Sequence, residues 1–145
     1  MTTYLTTKQV IVIHDLESGM PVRDEAVLDG AVNAPRATWA GKPLRQGLLQ
    51  QAAALLAGIS QAQAFVDGNK RTAWIAVDVF LRLNDRQLLD ITPIDILSLM
   101  DDISAGVIEE AGVAEWLRER SASTRPSGDQ RRLPCGPAPL ERNSR

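Results

Sequence analysis

Residues 44–84 hold two long apolar segments separated by a short break, and this pairing limits the chain to few architectures. Leu44, Leu48, Leu49, Ala52, Leu55, Leu56 and Ile59 recur at spacings of three and four, which predicts a helix running to about Gln61. A second helix starts near Asn69 and continues through Ile75, Ala76, Val79, Phe80 and Leu83 to Asn84. Both are apolar around most of their circumference, so both must be covered on several sides and belong at the centre of a domain. Only 4% of residues are aromatic, so aliphatic side chains and alanine fill the interior. Alanine has the best helix propensity and little value on a pleated surface, so this favours helices over sheets.

The flanking segments read as further helices. Thr6 or Thr7 can cap a first one through Val10, Ile11, Ile13, His14 and Leu16, ending at Ser18-Gly19. Asp24 opens a short second one with Ala26, Val27, Ala31 and Leu28 inward, and Pro35 ends it. Arg36 to Pro43 carries a glycine and a proline and reads as a loop or small hairpin. Thr92 as cap and Pro93 at the first helical position start a helix over 94–104 that supplies Ile96, Leu97, Leu99, Met100 and Ile103. A last helix over about 108–120 brings Val113, Trp116 and Leu117. No segment reads as a convincing strand. The expected fold is all-α, a compact bundle of about six helices around two central ones.

After residue 120 the composition changes to Ser, Pro, Gly and Arg without periodicity, so residues 1–120 are expected to form the domain and 121–145 a disordered tail. The net charge of −2 gives no general case for nucleic-acid binding. The tail carries Arg125, Arg131, Arg132, Arg142 and Arg145 but no aromatic residue on which a base could stack. The one cysteine, Cys135, excludes an internal disulfide and a cysteine-based zinc site. The start lacks a basic segment followed by an apolar run of signal-peptide length, and no stretch has the roughly 20 apolar residues a span needs, so a cytoplasmic protein without membrane attachment is expected.

Between the central helices stands Gln63-Ala64-Phe65-Val66-Asp67-Gly68-Asn69-Lys70-Arg71. Gly68 permits backbone conformations closed to other residues, and Asn69 can cap the following helix. The amides of Asn69, Lys70 and Arg71 would then lie unpaired at a positive helix end, the physical recipe for an anion site. Lys70 and Arg71 add full charges, and arginine can grip two phosphate oxygens at once. Asp67 can hold Mg²⁺, which usually binds through one or two carboxylates plus phosphate oxygens. Taken alone, so short a pattern is more often a tight turn followed by a solvated basic face.

In order and spacing, Phe65, Asp67, Gly68, Asn69, Lys70 and Arg71 resemble the signature of the Fic/Doc family, approximately His-x-Phe-x-Asp/Glu-Gly-Asn-Gly/Lys-Arg. The continuation "TAWIAVDVFLRLN" is similar to the family's second core helix, and "LTTKQVIVIHD" and "VRDEAVLDGAVNAPRATWAG" to the amino-terminal part of its Doc-like (death-on-curing) branch, so the resemblance covers roughly residues 4–120. Family members that transfer AMP usually have glycine where Lys70 stands and a second arginine where Trp74 stands. Asn-Lys-Arg without that arginine resembles the Doc-like toxins.

That branch implies a kinase-type transfer of the ATP γ-phosphate to a threonine of elongation factor Tu, with arrest of translation. Carried over, the resemblance implies that Asp67 binds Mg²⁺ and that Gly68, Asn69, Lys70 and Arg71 bind ATP at the phosphate being moved. Phe65 would anchor the loop, and Thr38, Trp39, Ala40 and Gly41 would lie at a target-binding flap, with Trp39 as a packing residue. The family's histidine takes the proton of the attacking hydroxyl; here that position is Gln63, which cannot accept one. Loss of a general base costs about 10²–10⁴-fold in rate, so transfer is expected to be weak or absent. His14, the only histidine, is expected to pack or hydrogen-bond within the first helix.

The resemblance also implies a Phd-like antitoxin whose end folds as a helix into a groove, with nucleic acid reached only through that complex. The inhibitory pattern Ser/Thr-x-x-x-Glu-Gly/Asn of some Fic proteins has no match. An AMP-transferring enzyme and a non-catalytic, antitoxin-binding corepressor are the alternative readings.

Overall fold

The computed structural model describes residues 1–125. Six helices carry the fold: α1 (Thr7–Glu17), α2 (Glu25–Asn33), α3 (Leu48–Ala62), α4 (Asn69–Leu83), α5 (Pro93–Ala105) and α6 (Glu110–Glu119). A 3₁₀ turn (Ala34–Arg36) and four strands of two or three residues fill the connections: β1 (Thr38–Trp39), β2 (Lys42–Pro43), β3 (Arg86–Leu88) and β4 (Ser121–Ser123). The all-α reading holds.

α3 and α4 form the centre, with α2 and α6 against α3 and α1 against α4. α3 buries Leu49, Ala52, Ala53, Ala54, Leu55, Leu56 and Ile59, a set that occupies every side of the helix. Its small residues let neighbours come close: a Cβ added at Gly58 would sit 3.4 Å from the Cβ of Ala31 on α2. From α4 come Ala73, Ala76, Val77, Phe80 and Leu81, and from α6 come Val113, Ala114 and Leu117. No helix among the described residues is long and apolar enough to cross a membrane.

The helix starts follow their caps. Thr6 accepts from Gln9 N–H while the Gln9 side chain accepts from Thr6 N–H; Thr92 and Asp95 make the same reciprocal box with Pro93 in the first turn. Asp24 caps α2 through Val27 N–H at 3.1 Å.

Three expectations are corrected. α3 begins at Leu48, not Leu44, although Leu44 has the right spacing. Leu44 N–H instead donates to Ala37 C=O at 3.0 Å. Next to it, Arg45 forks onto Glu110 at 3.0 and 2.8 Å and donates to Ala34 C=O at 3.0 Å. These bonds hold the segment out of the helix and leave Leu44 exposed. α2 turns Leu28, Ala31 and Val32 inward and leaves Ala26 and Val27 outside, because Leu28 with Val32 covers more apolar area than Ala26 with Val27. Finally, Ser121–Ser123, assigned to the tail on composition, pair antiparallel with Arg86–Leu88, and Arg86 Nε donates to Ser121 Oγ at 2.7 Å. The domain therefore extends past residue 120; residues 126–145, with Cys135 and four of the tail arginines, lie outside the described residues.

Candidate active site

The loop from Gln63 to Gly68 joins the two central helices through two left-handed residues. Gln63 closes α3 at φ 55°, ψ 37°, and Gly68 opens α4 at φ 83°, ψ 15°. Between them the chain runs against the connection from α1 to α2. Ala64 C=O accepts from Arg23 and Asp24 N–H at 2.7 and 3.0 Å, and Val66 N–H donates to Pro21 C=O at 3.2 Å. Phe65 is fully buried and lies flat on the His14 ring, centroids 3.8 Å apart and planes 6° from parallel. The anchoring role expected of Phe65 thus has a definite partner on α1.

Asn69 does not cap α4. Gly68 occupies the cap position without a side-chain bond, and Asn69 becomes the first helical residue. Its amide turns back on the loop instead: Oδ1 accepts from Phe65 N–H at 3.0 Å and Nδ2 donates to Phe65 C=O at 2.9 Å. Both polar groups of a buried backbone unit are satisfied by one side chain.

The first intrahelical bond of α4 runs from Thr72 N–H to Gly68 C=O at 2.9 Å. The amides of Asn69, Lys70 and Arg71 precede it and have no acceptor within the helix. They open on a cavity of about 330 Å³ lined by Gln63, Val66, Asp67, Gly68, Asn69, Lys70 and Arg71. The structure therefore brings Gln63, Asp67, Gly68, Asn69, Lys70 and Arg71 together around one cavity, with Phe65 buried behind it.

Lys70 Nζ lies 3.7 Å from Asp101 Oδ1 of α5, and Arg71 Nη2 lies 3.8 Å from Asp67 Oδ2. All four side chains are largely solvent-exposed, and exposed pairs at such separations are worth about 0–1 kcal/mol. An anion can therefore take over both cations at little cost. Among the described residues no group of three His, Cys, Asp or Glu could hold a metal ion without help. Asp67 supplies one exposed carboxylate beside the cradle, which suits Mg²⁺ arriving with phosphate oxygens and not a site built from protein ligands alone.

Gln63 is exposed, and its amide makes one long contact, Nε2 to Ser60 C=O at 3.4 Å. Thr38, Trp39, Ala40 and Gly41 form an exposed hairpin with Lys42 and Pro43, in which Ala40 (φ 53°) and Gly41 (φ 79°) make the turn. None of these four lines the cavity.

Two features escaped the sequence reading. A second, apolar groove of about 420 Å³ is built from Trp74, Ile75, Pro93, Ile96, Leu97 and Met100, and is also lined by Lys70 and Arg71. Its signal was present, since Leu97 and Leu99, two positions apart, lie on opposite sides of one helix and cannot both face inward. The second is His14, whose Nε2 lies 2.8 Å from Asp67 C=O; the two residues are 53 positions apart, and local patterning holds no sign of the bond.

Two central helices joined by a stitched Phe-x-Asp-Gly-Asn-Lys-Arg loop define a member of the Fic/DOC family, whose model matches residues 4–81. The chain belongs to that family. It is 43% identical over 90 residues to Toxin Doc of Mycolicibacterium smegmatis, a match that covers 61% of this chain and 69% of that protein.

Proposed function

We propose that the chain is a Doc-like toxin whose loop is built to move the γ-phosphate of ATP to a threonine of elongation factor Tu, and that Gln63 disarms it. The observation that carries this reading is the cavity at the start of α4, where three free amides, Lys70 and Arg71 converge beside the Asp67 carboxylate. The likeness to Toxin Doc supports it.

Phosphoryl transfer asks chiefly for alignment and charge stabilisation. The Asn69–Arg71 amides would orient the phosphate, Lys70 and Arg71 would stabilise its charge, and Asp67 would hold Mg²⁺. Bound there, Mg²⁺ would neutralise part of the phosphate charge. Gln63 borders the same cavity, where the attacking hydroxyl would surrender its proton, and an amide cannot take it. Trp74 stands where an AMP-transferring member has its second arginine. It packs edge-on against Trp116 at 6.1 Å and offers no charge to further phosphates, which favours γ- over α-phosphate transfer.

The groove beside the cradle suits a helix of a Phd-like antitoxin. Because Lys70 and Arg71 line both, a helix seated there would contact the two cations and close the site. Gln63 also favours a second reading, a non-catalytic protein kept for antitoxin binding. Labelling of elongation factor Tu with ATP tagged at the α or the γ phosphate, by this chain and by Gln63→His, separates these readings. The proposal expects γ label from Gln63→His, raised about 10²–10⁴-fold over the parent. Equal labelling by both proteins refutes the account of Gln63. Absence of label from both favours the binding protein, and α label the AMP transferase.

A further inference from the structure

We infer that His14 is a positioning residue of the cradle, holding the Phe65–Gly68 segment from α1 by one hydrogen bond to Asp67 C=O and one ring face stacked on Phe65. The inference rests on reading the loop as a phosphate site, but its structural half can be tested without any ligand.

His14 is fully buried, so both of its polar ring nitrogens are taken away from water, a cost unless the ring is used. Nε2 lies 2.8 Å from Asp67 C=O. A carbonyl can only accept, so Nε2 carries the proton and donates. In the neutral ring the assignment leaves Nδ1 as an acceptor without a hydrogen-bond partner among the described residues. The Asp15 carboxylate, 3.5 Å away and exposed, also lacks a donor to offer it. A buried ring with one polar atom unserved is held for what its other atom does.

The ring's face is used as well, since Phe65 stacks on it at 3.8 Å. Its edge borders Gly68, whose added Cβ would meet His14 Cδ2 and Nε2 at 3.6 Å. His14 therefore touches Phe65 and Asp67 and borders Gly68, while Asn69 holds the Phe65 backbone. The Asp67 carbonyl is fixed from α1, and with it the direction in which the Asp67 carboxylate leaves the chain. The chemistry assigned to Asp67 thus depends on a side chain that never reaches the cavity.

Two variants separate the contributions. His14→Phe keeps the stacked face and removes the donor; His14→Gln restores a donor near the Nε2 position and removes the ring. Hydrogen exchange would be followed at the amides of Phe65 and Val66, which are bonded to Asn69 Oδ1 and Pro21 C=O. In His14→Phe these two amides should exchange about tenfold faster, as for loss of one partly buried hydrogen bond, while α5 and α6 stay unchanged. His14→Gln should recover most of that protection. Calorimetric titration with Mg·ATP should show affinity falling by a similar factor in His14→Phe and returning in His14→Gln.

Unchanged loop exchange in His14→Phe, equal acceleration in every helix, or no recovery in His14→Gln would each overturn the inference. If His14→Phe does not fold, nitrogen NMR of the unaltered chain decides. The Nε2–H tautomer with coupling to the Asp67 carbonyl carbon supports the assignment, and the Nδ1–H tautomer overturns it. A parent chain that binds no Mg·ATP, yet shows the expected exchange pattern, removes the phosphate reading and supports the positioning of the loop.

Discussion

Replacing Asn69 by alanine removes two hydrogen bonds from the backbone of one buried residue, Phe65. Phe65 is fully buried, so its N–H and C=O, now bonded at 3.0 and 2.9 Å, cannot turn to water without moving the loop. A stranded buried group costs about 1–3 kcal/mol. Alanine returns about 0.5 kcal/mol through its better helix propensity. For the two groups together the net loss should be about 1.5–5.5 kcal/mol, a large share of the 5–15 kcal/mol typical of a whole domain. At about 4 °C per kcal/mol for a domain of this size, the midpoint of thermal unfolding should fall by about 6–22 °C. Asn69→Asp sharpens the test, because a carboxylate still accepts from Phe65 N–H but offers no donor to Phe65 C=O. It should be about half as destabilising as alanine. It also sets a negative charge at the start of α4, so it should weaken Mg·ATP binding more than alanine does. Circular dichroism melts and calorimetric titrations of both variants supply the numbers. A midpoint within 2 °C of the parent for Asn69→Ala, or equal destabilisation by Asp and Ala, would refute the role assigned to this side chain.

The cost of Gly68→Ala should come from the backbone, since an added Cβ meets Ser18 and His14 only at ordinary contact distances of 3.5–3.6 Å. A left-handed residue that is not glycine costs about 1–2 kcal/mol, which denaturant titration can measure; a loss above about 4 kcal/mol would mean that the contacts are tighter than this. Arg45→Lys keeps the charge but not the fork onto Glu110, and should cost about 1 kcal/mol, with faster amide exchange at the start of α6; lysine performing as well as arginine would contradict this. Asp95 is held below the ordinary aspartate range, first by the Thr92 backbone N–H and then by the Thr92 side chain. A carboxyl lowered in the folded state contributes stability above its unfolded value, about 3.9, and loses it as pH falls through the lower folded value. The parent should therefore lose stability relative to Asp95→Asn as pH drops below about 4, and parallel curves in that window would count against it.

What was legible in the sequence was whatever a single helix dictates by itself. Thr6, Asp24 and Thr92 cap their helices as read, because capping depends on three or four neighbouring residues. Leu44 misled because spacing reports only where a helix could run. The backbone there answers to Ala37, Ala34 and Glu110, the last of them on α6. Ser121–Ser123 misled in the other direction: three small polar residues carry no alternation, yet Arg86 on β3 gives them a place. At the site, the residue types that could hold phosphate were legible from the loop alone. What holds the loop was not, since Asn69 was displaced from capping by a left-handed glycine and His14 reaches Asp67 only once α1 is packed.

The same geometry separates the residues that hold the loop from the residue the proposed reaction needs. Asn69 and Phe65 are each tied by buried contacts, so change at either disturbs the join between α3 and α4. Gly68 is constrained by its positive φ. Gln63 has the left-handed backbone but no buried tie: it is exposed, and its side chain's one polar contact among the described residues is a 3.4 Å approach to the Ser60 C=O. Its left-handed backbone does select among residue types, and histidine is among those enriched there. Exchange between glutamine and histidine at 63 should therefore leave the midpoint of thermal unfolding within a few degrees of the parent, whichever is the ancestor. The position where the proposed reaction most needs a specific side chain is the one the fold least requires. A protein that kept Asp67 to Arg71 in place for packing would look the same in its loop, which is why stability measured beside labelling in Gln63→His matters. A large gain in transfer with no gain in stability assigns residue 63 to chemistry alone.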